Sequence, residues 1–559
     1  MKSKKCSVPT FWLMENLYLL LRMAFIRVEK KKSGHYLRIV ESYRENNKIK
    51  HRILYSLGRV EDYKPEALKR MGMRLYALGG GDLKSLLGNS VRELGRYNYG
   101  FYQVYRKVFS YYGLDKFTTR VEKNHSLEFS FQDTLMLMLM ERLNDPVSKL
   151  GNYKNQEDYL GIGPVELHHI YRSLDYLADY SDVIQKRIFY TGRDLFNLQL
   201  DVVFYDVTTF YFDSEKINEH SIRQMGFSKD GKIGKTQVVF GLLIDKNKNP
   251  ICYHIYRGDT WEGYTFEDIV KVLKQTYQID KVIIVADRGM LNDDNLKLTT
   301  GNGYEFIVGE RLKNLPASIQ KQLIDPGNYK KQWVYDRFGE QITINYFTLV
   351  YKDRVIIGTY SKKREKKDAY EREQRLKKAK KLMQNPSSIK KKAKRYYLKN
   401  TADETYEIDH EKIKRDELYD GYLAISTSLR NMSIENVLDQ YRHLFQVEHS
   451  FRTFKSYLET RPMFHWTDKR IEGHIALCYI AYAMLNQVLQ RLSTVGVQCS
   501  ENELRKALSK MQLSLVEQNK RRFYLRSNIT DKMDSIINKL GVRKLPHLFP
   551  KEQLTNYLE

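Results

Sequence analysis

Apolar and polar residues alternate with period two from 24 to 59, in "AFIRVEKKKSGHYLRIVESYRENNKIKHRILYSLGR", with turn residues at Ser33-Gly34 and Asn46-Asn47. Successive side chains of a strand point to opposite faces, so this pattern predicts a short antiparallel meander, a small basic β unit over 23–62. Helical periodicity dominates from about 64 to 200, with breakers at Gly79-Gly80-Gly81 and around Pro146. We therefore assign 63–199 to an α-rich N-terminal region. A DNA-reading helix could lie within 64–125, but no helix-turn-helix spacing stands out and plain packing is an equal reading.

The character changes at 200, where "LDVVFYDVTTFYFDSE", "TQVVFGLLIDKNKNPICYHIYRG" and "KVIIVADRG" read as strands separated by turns, with a helical stretch near 265–277. The turn "DKNKNP" joins 238–244 to 251–256 as a hairpin, and a meander followed by a helix and another β run predicts an α/β domain with a mixed sheet. Its first part is set at 200–313. An insertion at 314–420 follows, with strands at 332–336, 341–350 and 353–360 and then a charged stretch. Residues 361–400 hold 17 Lys or Arg against 4 Asp or Glu by count. Such a run is either a helix projecting into water or a clamp on a phosphate backbone. Residues 421–490 return to the α/β domain, and 491–559 form a helical, basic C-terminal region.

A chain of 559 residues exceeds what one core supports, so two or more structural units are expected. Its 94 Lys and Arg against 68 Asp and Glu leave a formal charge of +26, which points to a polyanionic partner, nucleic acid by default. A basic but unspecialised, ribosome-associated protein is the alternative that charge alone leaves open. The four cysteines, Cys6, Cys252, Cys478 and Cys499, form no C-x-x-C pair, so neither a disulfide framework nor a zinc knuckle is implied. A reducing cytoplasm fits. The apolar stretch 11–25 is interrupted by Glu15 and Arg22 and is too short to span a bilayer, so no membrane segment is expected. Because the alternating pattern starts cleanly at "MAFIRVEKKK", residues 1–22 read as an upstream extension, with Met23 the natural beginning.

Three acids carry the candidate chemistry. Asp206 is the one carboxylate inside "VVFYDVTTFYF" (202–212), with Phe204 and Thr208 as same-face neighbours and Phe210 and Phe212 beyond. An unpaired charge there costs several kcal/mol or stays protonated, so it needs a partner. Asp287 closes the apolar run "VIIVA" and precedes the turn Arg288-Gly289, at the carboxyl end of a strand, where ligands gather in open α/β sheets. A helix N-cap is the plain alternative. Glu448 lies in "YRHLFQVEHSFRTFKSYLETRPMFHW", where Tyr441, Glu448 and Lys455 are spaced by seven and would project from one helix face beside Leu444, Phe445, Phe451 and Arg452. For that helix alone, a surface acid paired with Arg452 is the plain alternative. Three carboxylates from separate elements suit Mg²⁺, and two such ions can clamp the attacking and leaving oxygens at phosphorus while Arg452 and Lys455 hold phosphates.

At these residues the chain resembles the DDE transposases of bacterial insertion sequences. "FYDVTTFYFDSE", "VIIVADRGM", "DGYLAISTS" and the Glu448 segment look closest to the insertion-sequence-four superfamily, in which a β-rich insertion separates the second Asp from the Glu. The insert's "SKKREKKDAYEREQRLKKAKK" and "FRTFKSYLETRP" are similar to the subgroup typified by insertion sequence sixteen-thirty-four. The resemblance spans about 23–490. It implies an RNase H-like mixed-sheet catalytic domain interrupted by the insertion, and a Mg²⁺-dependent enzyme (two ions, Mn²⁺ a possible substitute) held by Asp206, Asp287 and Glu448. It also implies that the enzyme binds terminal inverted repeats of double-stranded DNA, cuts and transfers strands, and acts as a homodimer in the bacterial cytoplasm at the nucleoid.

By the same resemblance Tyr441 and Lys455 contact DNA phosphate. The signature's arginine position holds Leu444, so Arg442 and Arg452 are the available substitutes. Some relatives stack a tryptophan on a flipped base, which makes Trp261 and Trp466 candidates, against a structural role for each. A stand-alone RNase H-fold nuclease and a catalytically dead DNA-binding relative are the rival readings.

Overall fold

The computed structural model describes residues 24–45, 48–81, 91–191 and 201–558, apart from 216, 218, 232–233, 291, 338, 384–395, 401–405 and 519–520. The upstream extension 1–22 and the turn Asn46-Asn47 lie outside the described residues. Contacts divide the chain into two compact units, 1–94 with 516–522 and 95–515 with 523–559.

The first unit holds the expected meander: β1 (Ala24–Lys31), β2 (Gly34–Glu45) and β3 (Lys48–Arg59), paired antiparallel in the order β1-β2-β3. The Ser33-Gly34 turn closes β1 on β2, with Lys31 opposite Gly34 at φ +129°, a backbone region open to glycine. Alternation fixed which residues share a face without supplying a core: Val40 is buried, whereas Ile26, Val28, Ile49, Ile53 and Tyr55 are more than half exposed. Helix α1 (Pro65–Leu78) starts on a proline in its first turn and stops at Gly79, as the glycine run predicts.

The region read as helical also holds a strand, Val91–Asn98, and the second unit continues with α2 (Gly100–Tyr111), α3 (Leu114–Asn124), α4 (Phe131–Asn144), α5 (Lys149–Asn155), α6 (Leu167–Asp179) and α7 (Ser181–Tyr190). Helix α4, "FQDTLMLMLMERLN", is apolar nearly all round, which marks a helix enclosed by neighbours. Residues 134–143 are all buried in it, including Glu141 and Arg142.

The sheet has ten strands: β4 (Val202–Tyr211), β5 (Gln224–Met225), β6 (Thr236–Asp245), β7 (Pro250–Arg257), β8 (Ile283–Ala286), β9 (Glu305–Glu310), β10 (Lys331–Arg337), β11 (Glu340–Tyr351), β12 (Arg354–Tyr360) and β13 (Tyr422–Thr427). Their order is β10-β11-β12-β13-β9-β8-β4-β6, with β5 and β7 both pairing β6. Pairing of β4, β8 and β9 is parallel and the rest is antiparallel, so the sheet is mixed, as expected. Asp245 closes the β6–β7 hairpin by accepting the amides of Asn247 (2.8 Å) and Asn249 (2.9 Å). The insertion's three strands lie close to their expected bounds, but they are not a separate layer: they extend this same sheet, and β13 is inserted between them and β9.

Helices cover both faces. On one, α8 (Glu262–Gln275) and α9 (Asp293–Gly301) pack over Val203, Tyr205 and Val207 of β4. On the other lie α11 (Ile434–Arg442), α12 (Phe445–Arg452) and the long α13 (Asp468–Thr494), following α10 (Lys362–Met383) in the chain. The charge run on α10 is partly folded inward. Arg372 pairs with Asp420, Asp368 accepts the amide of Gly421 at 3.1 Å, and four i,i+4 pairs, such as Lys377–Glu373 at 2.8 Å, run along the helix.

Candidate active site

The parallel ladder brings two of the three acids together. Tyr205 pairs with Ala286, the last residue of β8, so Asp206 and Asp287 hold the next positions on adjacent strands, which run about 4.8 Å apart. Both belong to the face of the sheet that carries α12: Phe204 and Phe210 of β4 and Val285 of β8 share its core with Val447 and Phe451. Aromatic packing seats that helix, with Phe240 of β6 5.2 Å from Phe454 and 6.3 Å from Phe451 between ring centroids. One strand further, Val308 of β9 pairs with Ala286, which puts Gly309 level with Asp287. A Cβ at Gly309 would lie 2.5 Å from the Tyr441 hydroxyl oxygen and 3.1 Å from the Arg288 nitrogen. Tyr441 therefore lies against bare backbone beside Asp287.

Charge couples these groups. Burial pushes the Asp206 carboxyl up to about 7; Lys229 and the Val207 amide pull it down, and the neighbouring charges of Asp287 and Glu262 raise it further. The Tyr441 hydroxyl is pushed up, first by burial and then by the charges of Asp287 and Glu448 among its neighbours. Asp287 and Glu448 themselves are exposed to solvent. Among the described residues, no group of three or more His, Cys, Asp or Glu side chains is arranged to hold a metal ion. The Asp206–Asp287 pair nevertheless fits a hard cation, because it sets two carboxylates side by side, one largely buried and one open to solvent, and the buried one already draws an ammonium. Lys229 Nζ lies 3.8 Å from Asp206 Oδ1 and 2.8 Å from Glu262 Oε1.

The seven-residue spacing does not run along one regular helix. The chain breaks at His443-Leu444 between α11 and α12, where Leu444 bonds back to Tyr441 O and Val447 to Leu444 O, three residues each. It ends in a π turn over Thr453–Tyr457, closed by Leu458 N–H on Thr453 O at 2.8 Å. Leu444 is buried by this bend, so the position where the signature places arginine belongs to the core. Arg442 turns away from the acids: it pairs with Asp439 at 2.9 Å, and its guanidinium sits 4.5 Å from the Tyr335 ring centroid. Arg452 is exposed. Lys455 pairs with Asp230 at 3.0 Å, and Arg461 meets the same carboxylate at 3.3 Å. Trp261 precedes α8, half-exposed, and meets Tyr264 edge-on at 5.2 Å; Trp466 is exposed, with the Arg223 guanidinium 4.6 Å over its ring.

Sequence reading missed Lys229, Asp230 and Glu262. Glu262, next to the singled-out Trp261, resembles any first-turn helix acid. Lys229 and Asp230 fall in a polar turn that carries no periodicity.

Residues 26–78 match the family model of the IS1634 family transposase N-terminal domain. The match supports an IS1634-type transposase. It covers the meander and α1 and none of the three acids. No curated protein matches the chain. Among solved structures, a piggyBac transposase synaptic complex with hairpin DNA, determined by cryo-electron microscopy, is similar over 77% of this chain and 76% of its own, at 9% identity and a TM-score of 0.38. No helix among the described residues is long and apolar enough to cross a membrane.

Proposed function

We propose that the protein is a DDE transposase that binds the terminal inverted repeats of an insertion sequence, cuts the DNA there and joins the freed end to a target. The observation that carries this reading is the placement of Asp206 and Asp287 level with each other on adjacent parallel strands, on the face covered by the Glu448 helix. The transposase N-terminal match at 26–78 supports the class of enzyme.

Asp206 and Asp287 would hold a Mg²⁺ or Mn²⁺ ion, with Glu448 contributing from the facing helix. When bound, such ions supply Lewis acidity for attack at phosphorus. Asp206, with its carboxyl near 7, releases its proton as it takes up a cation. Lys455 and Arg461 are the cations on this face suited to a phosphate, and the +26 formal charge draws DNA toward the chain before either engages. Tyr441, wedged against Gly309, fixes the approach of α11 to Asp287. Two element ends must be processed together, so a homodimer is the working assembly, within the bacterial cytoplasm.

Oligonucleotides carrying the element's ends, incubated with Mg²⁺ and target DNA, test the reading. Joined products are expected. Cutting without joining would indicate a nuclease, and retention without cutting a binding protein. Asp206→Ala, Asp287→Ala and Glu448→Ala should each abolish cutting while end binding at low salt survives; Mg²⁺-dependent cleavage by any one of them refutes that residue's assignment.

A further inference from the structure

Lys229 and Asp230 are consecutive, oppositely charged, and directed at the two halves of the candidate site. The Lys229 amide is tied to Thr209 Oγ1 of β4 at 3.3 Å. Its Nζ donates to the Val207 carbonyl at 2.6 Å and sits between Asp206 and Glu262 at 3.8 and 2.8 Å. The next side chain, Asp230, is about six-sevenths buried and accepts from Lys455 at 3.0 Å while facing Arg461 at 3.3 Å. A cation thus stands beside Asp206, where a metal would be taken, and a carboxylate stands where the basic pair would take a phosphate.

We propose that Lys229-Asp230 is a built-in charge plug: the ammonium substitutes for the divalent ion and the carboxylate for the DNA phosphate, so that the resting site is neutralised and both ligands must displace the same dipeptide. This rests on the reading of Asp206 as a metal ligand and Lys455 as a phosphate contact. Its chemical logic is that of competition. Buried carboxylates and buried ammonium groups are costly unless paired, and each internal ion pair satisfies one partner at the expense of an incoming ligand of the same charge. Because one backbone segment carries both groups, removing Lys229 from the acids strains the hold of Asp230 on Lys455. Metal and DNA binding are then coupled without any contact between the two ligands.

The test uses the full chain and two binding readouts that need no turnover. Isothermal titration of Mn²⁺ into DNA-free protein should show Lys229→Met, and the polar control Lys229→Gln, binding about tenfold tighter than the unaltered chain, since one competing charge is gone. In chelator, anisotropy of a labelled random-sequence duplex should show Asp230→Asn, and Asp230→Ser as a second variant, binding at least about threefold tighter, with a salt slope steeper by about one counterion, because Lys455 is released. Mn²⁺ binding that disappears in Asp206→Asn but is unchanged or weaker in the Lys229 variants overturns the plug while leaving the metal assignment standing. Absence of Mn²⁺ binding in every variant sinks both. DNA binding that weakens in the Asp230 variants also overturns the proposal, since Asp230 would then orient Lys455 for DNA.

Discussion

Replacing Asp206 by asparagine tests the electrostatics of the site most directly. Burial among Phe204, Thr208 and the aromatic face of α12 holds its carboxyl near 7, against 3.8 for an ordinary aspartate. The folded protein therefore binds this proton more tightly than the unfolded chain does. Stability from this group is fully present below pH 3.8, falls as pH rises, and is lost above pH 7. At up to about 1.4 kcal/mol per pH unit, the ionised form costs up to about 4 kcal/mol at pH 8, of which about 2 kcal/mol develops between pH 5 and pH 7. Asparagine is nearly isosteric and does not titrate, so Asp206→Asn should gain on the unaltered chain over that window. In a unit of this size that corresponds to a Tm difference widening by roughly 2–3 °C between pH 5 and pH 8. Differential scanning calorimetry at the two pH values, in chelator, measures it, and Mn²⁺ added at pH 8 should narrow the gap by stabilising only the chain that keeps the carboxylate. Parallel Tm profiles from pH 5 to pH 8 would refute the reasoning, because Asp206 would then be ionised in the fold at ordinary cost.

Gly309→Ala puts a methyl 2.5 Å from the Tyr441 hydroxyl oxygen and should destabilise by about 1–3 kcal/mol; adding Tyr441→Phe removes the clashing atom and should restore much of it, as a double-mutant cycle in urea would read. Lys149 is buried, and burial, with Arg142 nearby, holds its ammonium down to about 7 from 10.5. Its penalty is full below pH 7 and fades as pH rises to 10.5, so Lys149→Met should stabilise at pH 6.5 by up to about 5 kcal/mol and by little at pH 10, as denaturation at both pH values will show. Lys455→Ala should weaken end complexes and flatten their salt dependence by about one counterion; an unchanged slope in gel-shift titrations counts against a phosphate contact.

The elements were legible wherever burial imposes a local pattern. Continuous apolar runs marked β4, β6 and β8, alternation marked the meander at 24–59, and an isolated carboxylate in "VVFYDVTTFYF" marked Asp206 as a group in need of a partner. That partner was not legible. Asp206 and Asp287 stand 81 positions apart, and only the parallel pairing of Tyr205 with Ala286 makes them neighbours, since register between distant strands is set by how whole faces pack. The heptad spacing of Tyr441, Glu448 and Lys455 suggested one straight helix, yet burying Leu444 and Phe454 bends it at 443–444 and loosens it into a π turn, because core packing outweighs helical regularity there. The pairing of Lys229 with Asp206 and of Asp230 with Lys455 was invisible for the same reason: ion pairs follow proximity, and proximity between a polar turn and a distant strand or helix exists only once the chain has folded.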